Sequence, residues 1–175
     1  FEHQVTVKFS SKVEYDKFSN TSSKEVFNLL RDYQKKCVEK MLSCVQGYVV
    51  LPCGGGKTFL GASAAVLSGQ STIVLVHTTD LLSQWRETFQ RLGINRVRVI
   101  GGGNENNFSP LKKKEICVAT VQTLDRSIEG SALQLLNSAG AIILDEAHHC
   151  PAEMFQRVLQ ASRARYRWGL TATPH

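Results

Sequence analysis

The sequence predicts an α/β fold in which a central, mainly parallel sheet is flanked by helices. Three observations lead to this prediction. Short apolar runs alternate with helical patterns from Tyr48 onward, a glycine-rich loop follows the first run, and two adjacent carboxylates follow another. This alternation is typical of parallel sheets, because a helix usually forms the crossover between two parallel strands. In open sheets of this kind, ligands bind beyond the carboxyl ends of the strands, which is where the most unusual residues of the chain are expected.

The segment before this repeat is predicted to hold one edge strand and one or two helices. Residues 1 to about 24 mix charged residues with Ser and Asn, and the apolar alternation between Val5 and Phe9 predicts an edge strand. From Lys24 to about Gln46, apolar residues recur at helical spacing, which predicts amphipathic helices, the second of them starting at Asp32.

The repeat itself is read as a series of apolar strands. Their sequences are YVVL, STIVLVH, VRVI, EICVAT, AIILD and YRWGLT. Helical patterns follow the first two, at Lys57 to Leu67 and at Asp80 to Leu92. The loop GGGNENNFSPLKKK interrupts the alternation with turn formers and a basic run, so we predict that it is the most flexible segment.

Composition narrows the class of protein. With 175 residues, of which 42% are hydrophobic and 21% charged, the chain has the composition of a globular domain and not of a disordered, fibrous or membrane protein. Five cysteines without a CxxC pair argue against a disulfide framework or a zinc ribbon. No stretch resembles a signal peptide or a membrane span. We therefore expect an intracellular protein, cytoplasmic or nuclear or in the cytosol of a bacterium or an infected cell, with no membrane partner. The net charge of +6 is compatible with a polyanionic partner.

The first chemical motif is the loop PCGGGKT, which lies between the YVVL run and the helical stretch FLGASAAVL. Glycines allow successive backbone N–H groups to converge on phosphate oxygens at a helix N-terminus, where the partial positive charge favours anions. Lys57 is expected to reach the β and γ phosphates, and the Thr58 hydroxyl is expected to ligate magnesium. Leu51 stands where the general GxxxxGK[ST] pattern has its first glycine, and the alternative is a glycine-rich turn with a solvated lysine. The predicted nucleotide-binding residues of this loop are Pro52, Cys53, Gly54, Gly55, Gly56, Lys57 and Thr58.

The second motif is AIILDEAHH, in which an apolar strand delivers two carboxylates to its carboxyl end. Asp145 is expected to hold the magnesium ion that bridges the phosphates. Glu146 is expected to orient and deprotonate the attacking water. The alternative is an acidic turn that caps the next helix, because carboxylates are favoured at helix N-termini.

These motifs carry a family resemblance. PCGGGKT, DEAH at Asp145 to His148 and TAT at Thr171 to Thr173 resemble motifs I, II and III of the superfamily 2 helicases, in the same order. LRDYQ, HTTDLLSQW and GLTATP are similar to segments of the family typified by the xeroderma pigmentosum group B helicase, and type I and type III restriction-enzyme motor subunits share much of this pattern. The resemblance covers about Leu30 to Pro174. It implies a RecA-like P-loop NTPase fold, magnesium-dependent ATP hydrolysis, and a nucleic-acid strand gripped across two motor domains.

The resemblance also implies a domain organisation and further site residues. Residues 1–29 would be an N-terminal extension and residues 30–175 the first RecA-like domain, with a second RecA-like domain elsewhere in a longer chain. Arg31 and Gln34 would recognise adenine. His148 would belong to the catalytic set and couple it to the TAT segment through Thr171 and Thr173.

The implied nucleic-acid contacts are to the sugar-phosphate backbone and carry no sequence preference. They come from the segments similar to motif Ia and motif Ib, and from the IGGG turn. The candidates are Thr78, Thr79, Gly102, Thr120, Gln122 and Thr123. The threonines have the alternative role of strand-to-helix caps. Trp85 shares its helical spacing with apolar neighbours, so we assign it to packing and not to the site.

The function predicted from these observations is an ATP-dependent helicase or translocase motor domain, with DNA favoured over RNA. Two alternatives stay open. One is the motor subunit of a type I or type III restriction enzyme, and the other is a nucleotide-controlled nucleic-acid-binding module without productive turnover.

Overall fold

The computed structural model describes residues 6–9 and 21–173. Within these residues, seven strands form one sheet: β1 (Thr6–Phe9), β2 (Gln46–Val50), β3 (Thr72–Val76), β4 (Val97–Ile100), β5 (Ile116–Thr120), β6 (Ala141–Asp145) and β7 (Tyr166–Thr171). The helices are α1 (Thr21–Asn28), α2 (Asp32–Leu42), α3 (Lys57–Ser68), α4 (Thr79–Arg91), α5 (Val121–Ser127), α6 (Ala132–Ser138) and α7 (Ala152–Ala161), with a 3₁₀ turn at Ala147–His149.

The sheet has the strand order β1-β2-β7-β6-β3-β5-β4. Only β1 runs antiparallel, as the edge partner of β2, and every other neighbouring pair among the described strands is parallel. The predicted α/β class with a mainly parallel sheet is therefore confirmed. All six apolar runs of the repeat form strands, and the edge strand is present at Thr6–Phe9, while Val5 lies outside the described residues.

The core has two parts, because the side chains on both faces of the central strands are buried. Along β3, Val74 and Val76 belong to an apolar cluster with α2, α3 and α4, whereas Ile73 and Leu75 belong to a second cluster with α5, α6 and α7. This alternation follows from the period of two residues along a strand. Helices consequently cover both faces of the sheet, as a sheet with near-continuous apolar strands requires.

The helices before the repeat are part of the same core. Val26 of α1 is buried in the cluster that also contains α2 and α3, so packing continues across the predicted division at residue 29. That division stays a prediction. Helix α2 begins at Asp32 as predicted, and α3 and α4 fall within one residue of their predicted bounds.

Side chains form hydrogen bonds with the backbone of the loop after β4, although its many turn-forming residues predict a flexible segment. The Gly101 N–H donates to Asn106 Oδ1 at 2.8 Å, and the Arg98 guanidinium donates to the Asn107 carbonyl at 3.2 Å. The flexibility of this loop stays a prediction. Throughout the described residues, every helix is too short or too polar to cross a lipid bilayer.

The strand order divides the carboxyl edge of the sheet into two halves. The neighbouring strands β2, β7 and β6 carry the glycine-rich loop, the TAT segment and the two carboxylates. The neighbouring strands β3, β5 and β4 lead into the predicted nucleic-acid contacts. The predicted nucleotide-binding segments and the predicted nucleic-acid-binding segments thus occupy separate halves of one sheet edge.

Candidate functional site

The glycine-rich loop connects β2 to α3 through residues that depend on glycine. Gly54 and Gly56 have φ values of 79° and 73°, in the left-handed region that L side chains rarely adopt. Gly56 is the N-cap residue of α3, and the helix begins at Lys57. The first N–H groups of that helix have no intrahelical partner, so they are available to an anion at this position.

Helix α2 packs directly against this loop. The Tyr33 hydroxyl donates to the Gly55 carbonyl at 2.9 Å. A Cβ at Gly56 would lie 2.7 Å from Gln34 Nε2, so any larger residue there would require the Gln34 amide to shift. Gln34 is buried, and its Oε1 accepts the Arg31 N–H at 3.0 Å, which closes the N-terminus of α2. The two predicted adenine-recognising residues thus lie beside the loop, and their recognition of adenine stays a prediction.

Lys57 and Glu146 form an ion pair between the start of α3 and the end of β6. Each side chain is 15% exposed. Glu146 has a φ of 50°, which is uncommon for a residue with a side chain and places its carboxylate beside the glycine-rich loop. The pairing brings the predicted phosphate ligand and the predicted base into direct contact.

Asp145 is the buried carboxylate of the site, with 3% of its surface exposed. Its Oδ2 accepts a hydrogen bond of 2.7 Å from the Trp85 indole N–H. Burial raises the pKa of Asp145, while the Trp85 hydrogen bond and the nearby Lys57 ammonium act in the opposite direction. A carboxylate in this environment is stabilised by an added cation, because an isolated buried charge is costly.

The TAT segment on β7 lies against the carboxylates on β6. Glu146 Oε2 is 3.2 Å from His148 Nδ1 and 3.4 Å from the Ala172 backbone nitrogen. Thr171 Oγ1 is 3.4 Å from His148 Nδ1 and 3.3 Å from the Thr173 nitrogen. The predicted coupling residues are therefore in contact, and their coupling role stays a prediction.

Histidines line the boundary between the two halves of the sheet edge. The His149 ring lies 4.8 Å from that of His77 and 4.0 Å from that of His148. Burial lowers the pKa of His77, and the neighbouring His149 acts in the same direction. The uncharged form of His77 is consequently favoured, which permits close stacking.

The predicted nucleic-acid residues gather at the ends of β3, β4 and β5. Thr78 and Thr79 are exposed at the start of α4, and Thr78 Oγ1 caps that helix by accepting the Leu81 N–H at 3.3 Å. Gly102 is exposed and adjoins Thr79, since a Cβ on Gly102 would lie 3.1 Å from Thr79 Cγ2.

The residues of the segment similar to motif Ib are less exposed than Thr78 and Thr79. Thr120 is 7% exposed, and its hydroxyl lies 2.8 Å from that of Thr123. Gln122 Nε2 donates to the His77 carbonyl at 3.0 Å. Thr120 and Thr123 adjoin Gly101, the residue before Gly102, since a Cβ on Gly101 would lie 3.0 Å from Thr123 Oγ1. The contact of these residues with nucleic acid stays a prediction.

Three residues next to the site were not predicted from the sequence. They are Tyr33, Gln84 and Trp85. Trp85 was assigned to packing, and it is indeed fully buried, but its indole N–H also holds Asp145. The sequence offered one indication of this contact: the indole N–H of a buried tryptophan usually needs a hydrogen-bond acceptor.

A protein-family model supports the grouping of these motifs. The model described as "Type III restriction enzyme, res subunit" matches residues 28–175. The match includes every predicted site residue, from Arg31 to Thr173.

Curated relatives match over most of this chain. It is 34% identical over 145 residues to the DNA 3'-5' translocase XPB2 of Sulfurisphaera tokodaii, an alignment that covers 83% of this chain and 31% of that protein. It is 35% identical over 151 residues to the DNA 3'-5' helicase XPB of Mycobacterium tuberculosis, covering 82% of this chain and 26% of that protein. The chain thus spans less than a third of the length of these two relatives.

Solved structures share the fold. The UvsW helicase of bacteriophage T4 matches with a TM-score of 0.68 at 18% identity, over 93% of this chain and 62% of that one. The Hef helicase domain of Pyrococcus furiosus matches with a TM-score of 0.64 at 25% identity, over 85% of this chain and 34% of that one. The predicted RecA-like fold is confirmed by these likenesses.

Proposed function

Since this chain belongs to the family described as type III restriction enzyme, res subunit, we propose that it is the first motor domain of an ATP-dependent DNA helicase or translocase. The observation that carries the proposal is the contact between Lys57 and Glu146 at the carboxyl edge of the sheet. A phosphate-binding lysine and a carboxylate base meet there beside a glycine-rich loop at a helix N-terminus. This arrangement fits hydrolysis of a nucleoside triphosphate.

ATP binding separates the Lys57–Glu146 pair. The β and γ phosphates carry more negative charge than one carboxylate, so they compete for the Lys57 ammonium. Released from Lys57, Glu146 is free to accept a proton from the water that attacks the γ phosphate. In the absence of nucleotide, the ion pair with Lys57 therefore keeps Glu146 from acting as a base.

The residues present fit a magnesium ion. Thr58 offers a hydroxyl and Asp145 a carboxylate, which are the hard oxygen ligands that magnesium prefers. Asp145 Oδ2 accepts one hydrogen bond from Trp85, and a carboxylate retains further lone pairs for a cation. When bound, magnesium would neutralise charge that develops on the phosphates.

The nucleic acid would bind along the other half of the sheet edge. Thr78, Thr79 and Gly102 offer exposed hydroxyls and backbone groups there, which suit a sugar-phosphate backbone and not base edges. DNA is the favoured substrate because the two relatives above are a DNA translocase and a DNA helicase. A second RecA-like domain in the complete protein would close the nucleotide site and supply arginines, which are worth about 10³ to 10⁵ in rate in related reactions.

The motor subunit of a type III restriction enzyme is the second candidate, favoured by the description of the family model. Both candidates use the same ATP chemistry in this domain. They differ in what the remainder of the full-length protein contains, a nuclease domain being diagnostic of the second.

Calorimetry with magnesium and ATP tests the nucleotide site. We expect Lys57→Ala to abolish detectable binding while circular dichroism shows an unchanged fold, since the ammonium is the positively charged side chain that this loop offers to the phosphates. Lys40→Ala, at an exposed lysine of α2, is the matched control and should bind as the wild type does. Equal affinity of Lys57→Ala and wild type would refute the assignment of the phosphate site.

Turnover in the complete two-domain protein tests the base. Glu146→Gln retains the shape of the side chain but cannot take a proton, so we expect ATP binding to persist and turnover to fall about 100-fold or more. Glu153→Gln, at an exposed residue of α7, serves as the control. If the wild-type protein itself binds ATP without turnover, the non-hydrolysing binding module becomes the better description.

A further inference from the structure

Helix α4 contacts both side chains that are expected to hold magnesium. Gln84 Nε2 donates to Thr58 Oγ1 at 3.3 Å, and Trp85 Nε1 donates to Asp145 Oδ2 at 2.7 Å. The two donors are adjacent in sequence, whereas Thr58 belongs to α3 and Asp145 to β6. One short segment of α4 therefore contacts both of the side chains that are expected to bind magnesium.

The Trp85 side chain cannot move freely from this position. It is fully buried, and its ring lies against Gly61 of α3, where an added Cβ would be only 2.7 Å from Trp85 Cη2. The same Cβ would lie 2.6 Å from Leu170 Cδ1. Packing on these sides fixes the direction of the indole N–H, so the hydrogen bond fixes the orientation of the Asp145 carboxylate.

The N-terminal end of α4 reaches the predicted nucleic-acid surface. Thr79, the first residue of the helix, adjoins Gly102. Trp85 lies six positions after Thr79, which corresponds to about 9 Å along the axis. A displacement of the first turn of α4 would accordingly be transmitted to the two donors within the same rigid element.

We propose that Gln84 and Trp85 are positioning residues that hold Thr58 and Asp145 in the arrangement that magnesium requires. The inference rests on the proposed function, because it assumes that this site binds magnesium with a nucleotide. Partners that orient metal ligands commonly contribute 10-fold to 100-fold to metal affinity. Neither residue needs to touch the ion or the nucleotide.

Affinity for a slowly hydrolysed ATP analogue, adenylyl imidodiphosphate, measured by calorimetry with magnesium and again with EDTA, separates metal binding from nucleotide binding. For Trp85→Phe and Gln84→Ala we expect the gain in affinity caused by magnesium to fall, about 10-fold for Trp85→Phe. Affinity in EDTA should stay at the wild-type value. Electron paramagnetic resonance with manganese as the probe should show the same loss.

The chain offers matched controls for both variants. Trp168 is also fully buried, but its indole N–H donates to the Cys44 carbonyl and not to a metal ligand. Gln90 is an exposed glutamine on the same helix. Trp168→Phe and Gln90→Ala should retain the wild-type effect of magnesium, so a loss shared by Trp85→Phe and Trp168→Phe would indicate general loosening and overturn the proposal.

Fluorescence gives a second readout. Trp85 and Trp168 are the two tryptophans of the sequence, so each single Phe variant leaves one indole. In Trp168→Phe, addition of magnesium to the nucleotide complex should change the emission of Trp85, whose N–H faces Asp145. In Trp85→Phe, the emission of Trp168 should stay constant.

The outcomes separate the two proposals. Absence of nucleotide binding by the wild type in magnesium would refute the proposed function and this inference with it. Normal binding by the wild type together with an unchanged magnesium effect in Trp85→Phe and Gln84→Ala would overturn the inference alone. If Trp85→Phe does not fold, Gln84→Ala decides, because Gln84 is exposed and its replacement does not disturb the core.

Discussion

Substitution of Gly61 tests how rigidly Trp85 is packed beside Asp145, the proposed magnesium ligand. It lies within α3, where glycine is ordinarily unfavourable, and replacing it by alanine in an unconstrained helix would stabilise the protein by about 1 kcal/mol. In this structure the added methyl group would lie 2.7 Å from Trp85 Cη2 and 2.6 Å from Leu170 Cδ1. Both distances are far shorter than a normal carbon–carbon contact of about 3.5 Å or more.

The balance between these effects gives the expected magnitude. Trp85 and Leu170 are at most 1% exposed, so neither can swing into solvent to make room for the methyl group. Overpacking of this kind costs about 1 to 3 kcal/mol, which exceeds the gain in helix propensity. The net effect of Gly61→Ala is therefore a destabilisation of up to about 2 kcal/mol, taking the two ranges together. For a chain of this length, that corresponds to a fall in Tm of up to about 8 °C.

Thermal unfolding followed by circular dichroism measures this change, with Ser63→Ala in the same helix as the control. Ser63 is fully buried, and its hydroxyl has no hydrogen-bond partner among the described residues, so its removal should raise stability by about 1 kcal/mol. Substitution by alanine is thus expected to lower the Tm at Gly61 and to raise it at Ser63, two residues further along the same helix. A higher Tm for Gly61→Ala would refute the close packing of Trp85 against α3.

Three further predictions address the nucleic acid, the phosphate loop and the fold. Affinity for fluorescent single strands should be weak, independent of sequence, and fall with salt at a log–log slope of about −1.4 to −2.8 for two to four phosphates; strong sequence discrimination would contradict a motor. Magnesium with ATP should slow alkylation of the exposed thiol of Cys53, as read by mass spectrometry, whereas Cys37, whose pKa burial raises to about 11, should stay unreactive in either condition. The hydrogen bonds from Arg157 lower the pKa of Asp125, so this carboxylate stabilises the fold above its ordinary pKa of about 3.9 and loses that contribution as the pH falls through the lowered value. The Tm difference between wild type and Asp125→Asn should accordingly be largest near neutral pH and shrink in acid, and a constant difference would argue against the ion pair.

Most of the fold could be predicted because the relevant signals are local. An apolar run such as TIVLV in β3 buries both faces of a strand, and Gly56 with Lys57 indicates a loop followed by a helix before any long-range contact is known. The carboxyl-edge position of Asp145 followed from the same logic, since its strand ends at that residue. Local pattern therefore predicted the loop, helix and strand that carry the proposed nucleotide-site residues, while the role of those residues stays a prediction.

The contacts between elements could not be predicted, because the same spacing serves packing and chemistry. Trp85 follows the apolar period of α4, and nothing in that period distinguishes a purely packed indole from one that donates to a carboxylate 60 residues away. Tyr33 and Gln84 carry even weaker signals, since a polar residue on a partly exposed helix face is ordinary. The buried position of Thr120 was hidden for a similar reason: a threonine at a strand end suits a cap, a buried contact and a backbone ligand equally.

The division of the sheet edge raises the question of how its two halves communicate. The predicted nucleotide-site residues follow or end β2, β7 and β6, while the predicted nucleic-acid residues follow β3, β5 and β4, so any signal between them must cross the boundary between β6 and β3. Among the described residues, β3 pairs with β6 and Gln122 contacts Cys150 across it, and two further connections lead to the carboxylates at the end of β6. The first is the stack of His77 on His149, and the second is α4, which begins at the predicted nucleic-acid surface and donates a hydrogen bond to Asp145. A hydrogen bond with a fixed donor is more sensitive to a small displacement than a ring contact is, because its strength falls steeply with angle and distance. Movement of α4 on binding a strand would therefore act first on the orientation of Asp145, and a change in magnesium affinity on addition of single-stranded DNA, lost in Trp85→Phe, is the observation that would demonstrate it.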